Sequence, residues 1–261
     1  MNGPTNTVGP PLTPLPARRT TGVYKKILTT PATLYMTREE AQRFLESSKA
    51  LRSDRYPLFL TALRSGLRLG ELIALQWDDI QFGQSGGDSN RYILVRRNYN
   101  HREFTTPKSN KPRRVDMSRD LRRVLADLRD AATLKAFERG EPEIPGLVFP
   151  STTGSTLNGV NVYHRDFLPC VKAAGLRRIT FHALRHSYAS HLIQFGASLS
   201  YVKEQMGHSS IQVTADIYGH LVPGAEIAWA DRLDTETTPQ LSATQLQPAE
   251  TDVDADALEP L

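Results

Sequence analysis

The stretch FHALRHSYASHLIQFG, residues 181–196, carries both core and chemistry in one predicted helix, placed over residues 180–195. An i, i+3 spacing puts His182 and Arg185 on one face, while Leu184, Tyr188 and Leu192 form the neighbouring apolar stripe. A guanidinium and an imidazole that point together can hold a phosphate. For an isolated H-x-x-R, a solvated helix face is the plainer reading. A metal site on His182 and His186 at i, i+4 is weaker still, because the zinc-protease pattern needs Glu where Ala183 stands.

Outward from this helix the chain reads as mostly helical around a small antiparallel sheet, a mixed α/β class. Thr37 and Glu40 form a T-x-x-E capping box for a helix running to about Ala50. A second helix, Tyr56 to Ser65, stops at Gly66, and a third starts near Leu69 with Leu72, Ile73 and Leu75 on one side. Asp78-Asp79 reads as the turn closing that helix. Residues 79–117 change character: Tyr92 and Leu94 alternate, Gly86 to Asn90 is turn-rich, and Val115 with Met117 completes the strand signal. The loop Thr105 to Pro112 is expected to join two of these strands. Ser118 caps a helix with an apolar stripe at Leu121, Val124, Leu125, Leu128 and Ala132. Further helices are expected at about 158–174, 199–206, 210–219 and 224–232.

Length and composition bound the rest. At 261 residues and 39% hydrophobic, the chain can bury one good core. Residues 1–34, rich in Pro, Thr and Gly with Arg18, Arg19, Lys25 and Lys26, read as a flexible basic arm, and residues 233–261 as a disordered acidic tail. That leaves residues 35–232 as the folded domain. The single cysteine, Cys170, excludes an internal disulfide and any Cys-rich zinc site, which fits a reducing cytoplasm. No apolar run approaches bilayer length, so no membrane association is expected. The net charge of +4 hides an asymmetry: residues 231–261 carry −7, leaving +11 on residues 1–230. A body this basic attracts a polyanion, and charge alone does not separate DNA from RNA or an acidic membrane.

Downstream of the opening helix lies MGHSSIQVTADIYGHLVP, residues 206–223. It resembles the closing block of the tyrosine recombinases, the phage integrase family, in which a Gly-His pair precedes the nucleophilic tyrosine by about ten positions. FHALRHSYASHLIQFG is similar to that family's H-x-x-R helix, and SGLRLGELIALQWDDI, residues 65–80, to its first arginine block. The three blocks stand in the family's order, and the resemblance covers about Leu34 to Ala230. It implies the tyrosine recombinase catalytic-domain fold. It also implies a set of roles: Arg68 and Arg185 as the arginine pair, Lys108 as the hairpin lysine, His182 and His208 as the two histidines, Tyr218 as the nucleophile and Glu71 as a supporting residue. Lys111 in the loop, with Arg113 and Arg114 just after it, adds expected DNA contacts.

The chemistry asks for these residue types. Cleavage of a phosphodiester passes through a more negatively charged phosphorus, so arginine donors aimed at the nonbridging oxygens favour the transition state. With two guanidiniums no metal is needed, and no P-loop or two-metal carboxylate cluster is present in the sequence; no cofactor is expected. The phenol, with an ordinary pKa of about 10, needs help to lose its proton, for which the resemblance nominates His182. His208 would hydrogen-bond the phosphate and Lys108 protonate the leaving 5′-oxygen. The implied partners are double-stranded DNA and further copies of the chain, a tetramer on paired sites. Type IB topoisomerase-like relaxation and noncatalytic binding at recombination sites are the competing readings. Relatives usually carry a separate helical DNA-binding domain ahead of the catalytic one, and residues 1–34 are too short to form it. Ile227, Ala228, Trp229 and Leu233 form an apolar strip expected to dock, as a short helix, on a neighbouring subunit, with packing of Trp229 back on its own domain as the alternative.

Overall fold

A computed structural model of the chain describes residues 35–222 other than 86 and 108–110, together with residues 230, 231 and 233. The chain divides after Pro223 into two units, and the three described residues of the second are helical. The expected arm, most of the acidic tail, Lys108 and, of the apolar strip, Ile227, Ala228 and Trp229 lie outside the described residues.

The first unit opens with the expected capping box. Thr37 Oγ1 accepts from the Glu40 N–H at 3.2 Å and Glu40 Oε2 from the Thr37 N–H at 2.9 Å, starting α1 (Arg38–Leu51). Then come α2 (Tyr56–Ser65), ended by Gly66 in the left-handed region, and the short α3 (Leu69–Ile73). Asp78 and Asp79 lie in a 3-10 turn, Trp77–Asp79, where Asp79 Oδ2 accepts the Gln76 N–H at 3.1 Å. Strands β1 (Ile80–Gln81), β2 (Tyr92–Val95) and β5 (Arg113–Asp116) form an antiparallel sheet in the order β1-β2-β5. Ile93 pairs with Val115 across it, and both are fully buried. A separate hairpin, β3 (Asn98–Asn100) with β4 (Glu103–Thr105), has no counterpart in the sequence reading. The expected basic loop joins β4 to β5.

Ser118 caps α4 (Arg119–Glu138), its hydroxyl accepting the Leu121 N–H at 3.2 Å. The helical stretch expected near 158–174 contains α5 (Gly159–Asn161), a π-helical segment Val162–Phe167 and α6 (Leu168–Ala173). The chain continues through α7 (His182–Gln194), α8 (Leu199–Met206) and α9 (Ile211–Tyr218).

Helix α7 is not the half-buried amphipathic helix that the stripe reading implies. Ala183, Leu184, Arg185, Ser187, Tyr188, Ala189, Ser190, His191 and Ile193 are all buried, so neighbours cover it on nearly every side. The small residues Ala183, Ser187, Ala189 and Ser190 allow that close approach. Its start is fixed by Phe181, whose ring lies 5.4 Å from Phe167 and 6.3 Å from Phe59 in the aromatic centre of the core. Its middle is fixed by the chain entry, where Met36 donates its N–H to Ser187 Oγ at 2.8 Å and its carbonyl lies 2.9 Å from His191 Nε2. Both anchors hold in place the helix that carries His182 and Arg185.

Candidate active site

Arg185 is 3% exposed and is gripped by two helix ends. Its guanidinium donates to the Gly66 carbonyl, just past α2, and to the carbonyl of Met206, the last residue of α8. Helix C-termini present unsatisfied carbonyls and a partial negative charge, so a buried cation finds there what water would otherwise supply. Gly66 must be glycine, with φ +63° and an added Cβ only 2.5 Å from Tyr188 Cδ1. Burial first, then the like charge of Arg68, push Arg185 down to about 9, which leaves it charged at neutral pH.

Arg68 stands at the N-cap of α3, its side chain 28% exposed, and donates from Nη1 to Glu71 Oε1 at 2.9 Å. Glu71 Oε2 accepts the Arg68 N–H at 2.9 Å, so one carboxylate caps the helix and orients the arginine. The same buried carboxylate accepts a two-pronged pair from Arg113, at 2.9 and 2.7 Å. Arg113, grouped by sequence with the DNA contacts, therefore faces inward instead, and its Nε donates to the Gln205 carbonyl at 3.1 Å. Lys111 and Arg114 are exposed, and the Arg114 guanidinium lies 4.2 Å above the Tyr92 ring.

Burial alone would raise the Glu71 carboxyl, but the Arg113 hydrogen bonds and charge, with Arg68, hold it down to about 2 against an ordinary 4.5. A carboxyl depressed in the folded state contributes stability that is complete above pH 4.5 and lost as pH falls from there toward 2. Glu71→Gln should thus lose about 3 kcal/mol at pH 7, as expected for breaking a buried pair, and flatten the acid limb of stability. Urea midpoints at pH 7 and pH 3 measure this; equal losses at both would assign the effect to packing rather than charge.

His208 follows Gly207, whose left-handed φ of +63° ends α8 and admits the Arg113 side chain where a Cβ would sit 2.8 Å from its Cδ. His208 Nδ1 lies 2.9 Å from Thr214 Oγ1, and burial, then Arg185 and Arg68, push the imidazole down to about 4. His182, the first residue of α7, is lowered by burial and by the same two arginines. Tyr218 ends α9 and is 2% exposed, within a cluster that includes Tyr188, Ala189, Val202 and Met206. Burial pushes its phenol up, and Arg185 pulls against that shift.

Its hydroxyl lies 2.7 Å from Nδ1 of His186, a residue the sequence reading weighed only as a metal ligand. His186 stands one turn from His182, their rings edge to face at 4.8 Å, and burial, then His182 and Arg185, push it down to about 4. The structure thus gathers Arg68, Arg185, His182, His186, His208 and Tyr218 from three separated sequence blocks, with Glu71 and Arg113 beneath Arg68.

The sequence pattern of the phage integrase family matches residues 35–223, nearly three quarters of the chain. The chain belongs to the phage integrase family. Among its relatives, a protein named tyrosine recombinase XerC-like from Caldanaerobacter subterraneus subsp. tengcongensis is 32% identical over 197 residues, covering 71% of this chain and 50% of that protein. The ICEBs1 integrase of Bacillus subtilis is 31% identical over 180 residues, 67% of this chain and 47% of its own length. The chain spans about half the length of these curated relatives.

Family members of known structure share the fold at lower identity. The Tn1549 transposon integrase, solved with transposon right end DNA, superposes with a TM-score of 0.62 at 20% identity, covering 80% of this chain and 67% of that one. XerA recombinase gives 0.56 at 22%, covering 78% and 65%. The tyrosine recombinase catalytic-domain fold expected from sequence is therefore the fold observed. Among the described residues, no helix is long and apolar enough to cross a membrane.

Proposed function

We propose that this chain is a site-specific DNA recombinase that breaks and rejoins strands through a covalent 3′-phosphotyrosine on Tyr218. The observation that carries the reading is the convergence of Tyr218, two histidines from the family blocks and two guanidiniums on one cluster, in a family whose relatives are named recombinases and integrases. In this reading Arg68 and Arg185 donate to the nonbridging oxygens as negative charge develops on phosphorus, and His208 hydrogen-bonds the same phosphate. Glu71 orients Arg68. The resemblance assigns proton removal to His182 and protonation of the leaving 5′-oxygen to Lys108. The phosphotyrosine stores the energy of the broken bond, so rejoining requires no nucleotide. Double-stranded DNA is the substrate, with Lys111 and Arg114 at its backbone and a tetramer on paired sites as the working assembly. Residues 35–232 form the catalytic domain, flanked by the basic arm and the acidic tail.

The reading is tested with nicked duplexes from which the cleaved 5′ end diffuses away, drawn from a pool of candidate sites. The chain should form a denaturant-resistant adduct in excess EDTA and without nucleotide. Strict dependence of the adduct on Mg²⁺ would overturn the arginine-based mechanism, and failure to form an adduct on any member of the pool would overturn the strand-cleaving function.

A further inference from the structure

The roles implied by the sequence blocks leave the contact made by the Tyr218 hydroxyl unused. Among the described residues, the group in hydrogen-bond contact with the Tyr218 hydroxyl is His186, at 2.7 Å through Nδ1. Resting on the recombinase reading above, we propose that His186 is a catalytic residue that takes the Tyr218 proton as the tyrosine attacks. The bond joins the atom that must lose a proton to one that can receive it, the arrangement a nucleophile and its base require. His186 thereby takes over the role that the resemblance gives to His182, which has no such bond to Tyr218 among the described residues; its ring instead lies edge to face on His186, one helical turn earlier, facing the arginines.

The step balances without a further reactant. The Tyr218 O–H bond breaks as its oxygen bonds phosphorus, the P–O5′ bond breaks, and the proton passes to His186 Nδ1 with Nε2 already protonated. The 5′-oxygen takes its proton from the general acid. On rejoining, the 5′-hydroxyl gives its proton back to the deprotonated general acid as its oxygen bonds phosphorus, the phosphorus–tyrosine oxygen bond breaks, and the imidazolium returns its proton to the departing Tyr218 oxygen.

Among the described residues, the groups facing His186 are His182 and Arg185 on its own helix, Tyr218 from α9 and His208 from the turn between α8 and α9. Together with burial, the first two keep it neutral, so Nδ1 is open to accept at physiological pH. DNA phosphates entering the site oppose that positive surrounding and raise the basicity of the imidazole when it is needed. The position also explains why α7 is so firmly held. A base at i+4 and an arginine donor at i+3 from His182 stand on one rigid helix, with the tyrosine brought to them by α9.

The test uses the full chain, a duplex selected from the pool with the parent protein, and single-turnover adduct formation from pH 5 to 9. His186→Asn places an amide oxygen near the position of Nδ1, so it can accept the hydroxyl but not its proton. It should bind DNA as the parent does, form adduct on the order of a hundredfold more slowly, and lose the acid limb of the rate profile. His186→Ala should regain adduct formation with added imidazole, which a purely structural histidine would not allow. A substrate with sulfur in place of the 5′-bridging oxygen needs no protonated leaving group, so it should rescue Lys108→Ala and leave His186→Asn slow. Circular dichroism confirms that each variant is folded. A folded His186→Asn within twofold of the parent overturns the proposal, and one that is faster overturns it by showing that the bond restrains the tyrosine. In both cases the parent's adduct still stands for the recombinase reading, whereas a parent that forms none removes both.

Discussion

Tyr218→Phe is expected to bind DNA as the parent does and to form no covalent adduct. The change deletes one oxygen from a ring that is otherwise packed among Tyr188, Val202 and Met206, so the basic surface and the core shape are untouched. Losing the bond to His186 costs about 1 kcal/mol, within the reach of an otherwise intact fold. Adduct formation should fall below detection on a denaturing gel while mobility-shift binding stays constant. An adduct that persists in the Phe variant would place the nucleophile elsewhere; an unfolded variant with no specific chemical defect would make Tyr218 a core residue and nothing more.

Arg185→Ala is expected to act twice. It strips the donors from two carbonyls at helix ends and removes a buried charge that interacts with Glu71 and Tyr218, so stability should drop by roughly 3 kcal/mol. The folded fraction should cleave some 10²- to 10³-fold more slowly, the loss that follows deletion of a donor to a developing oxyanion. Arg185→Lys keeps the charge but cannot reach both carbonyls with one rigid fork while presenting a donor to phosphate, and should recover little. Single-turnover rates corrected for the folded fraction by urea titration separate the two effects. Parental cleavage by folded Arg185→Ala would confine this guanidinium to holding the structure together.

How much of this was legible in the sequence depended on whether the deciding interaction was local. The Thr37–Glu40 box and the Ser118 cap are made by neighbours three residues apart, and both form as read. The helix ends at Gly66 and Met206 follow from glycines that accept the left-handed turn. Hairpin β3–β4 escaped because its turn is built from His101 and Arg102, with φ of 50° and 68°, where the pattern asks for Asn or Gly. The π-helical segment at Val162–Phe167 has no sequence signature. Arg113 was available to a closer reading: in a strand, residues two apart share a face, so Arg113 sits on the side of fully buried Val115 while Arg114 points out. The contact of His186 with Tyr218 was not available at all, because its partner lies 32 residues further along and no local spacing joins them.

The grip on Arg185 also fixes when during synthesis the site can be assembled. Its two carbonyl partners come from positions 119 residues before it and 21 after it, so the arginine cannot be seated until the ribosome has delivered residue 206 and a long loop has closed. A truncated translation product that stops short of Met206 has the first arginine block and the H-x-x-R helix but lacks one wall of the socket, and with it the tyrosine. Under the proposed function, the Arg185 socket and the nucleophile are therefore present together only in chains that extend past Tyr218, and shorter fragments would lack the means to cut.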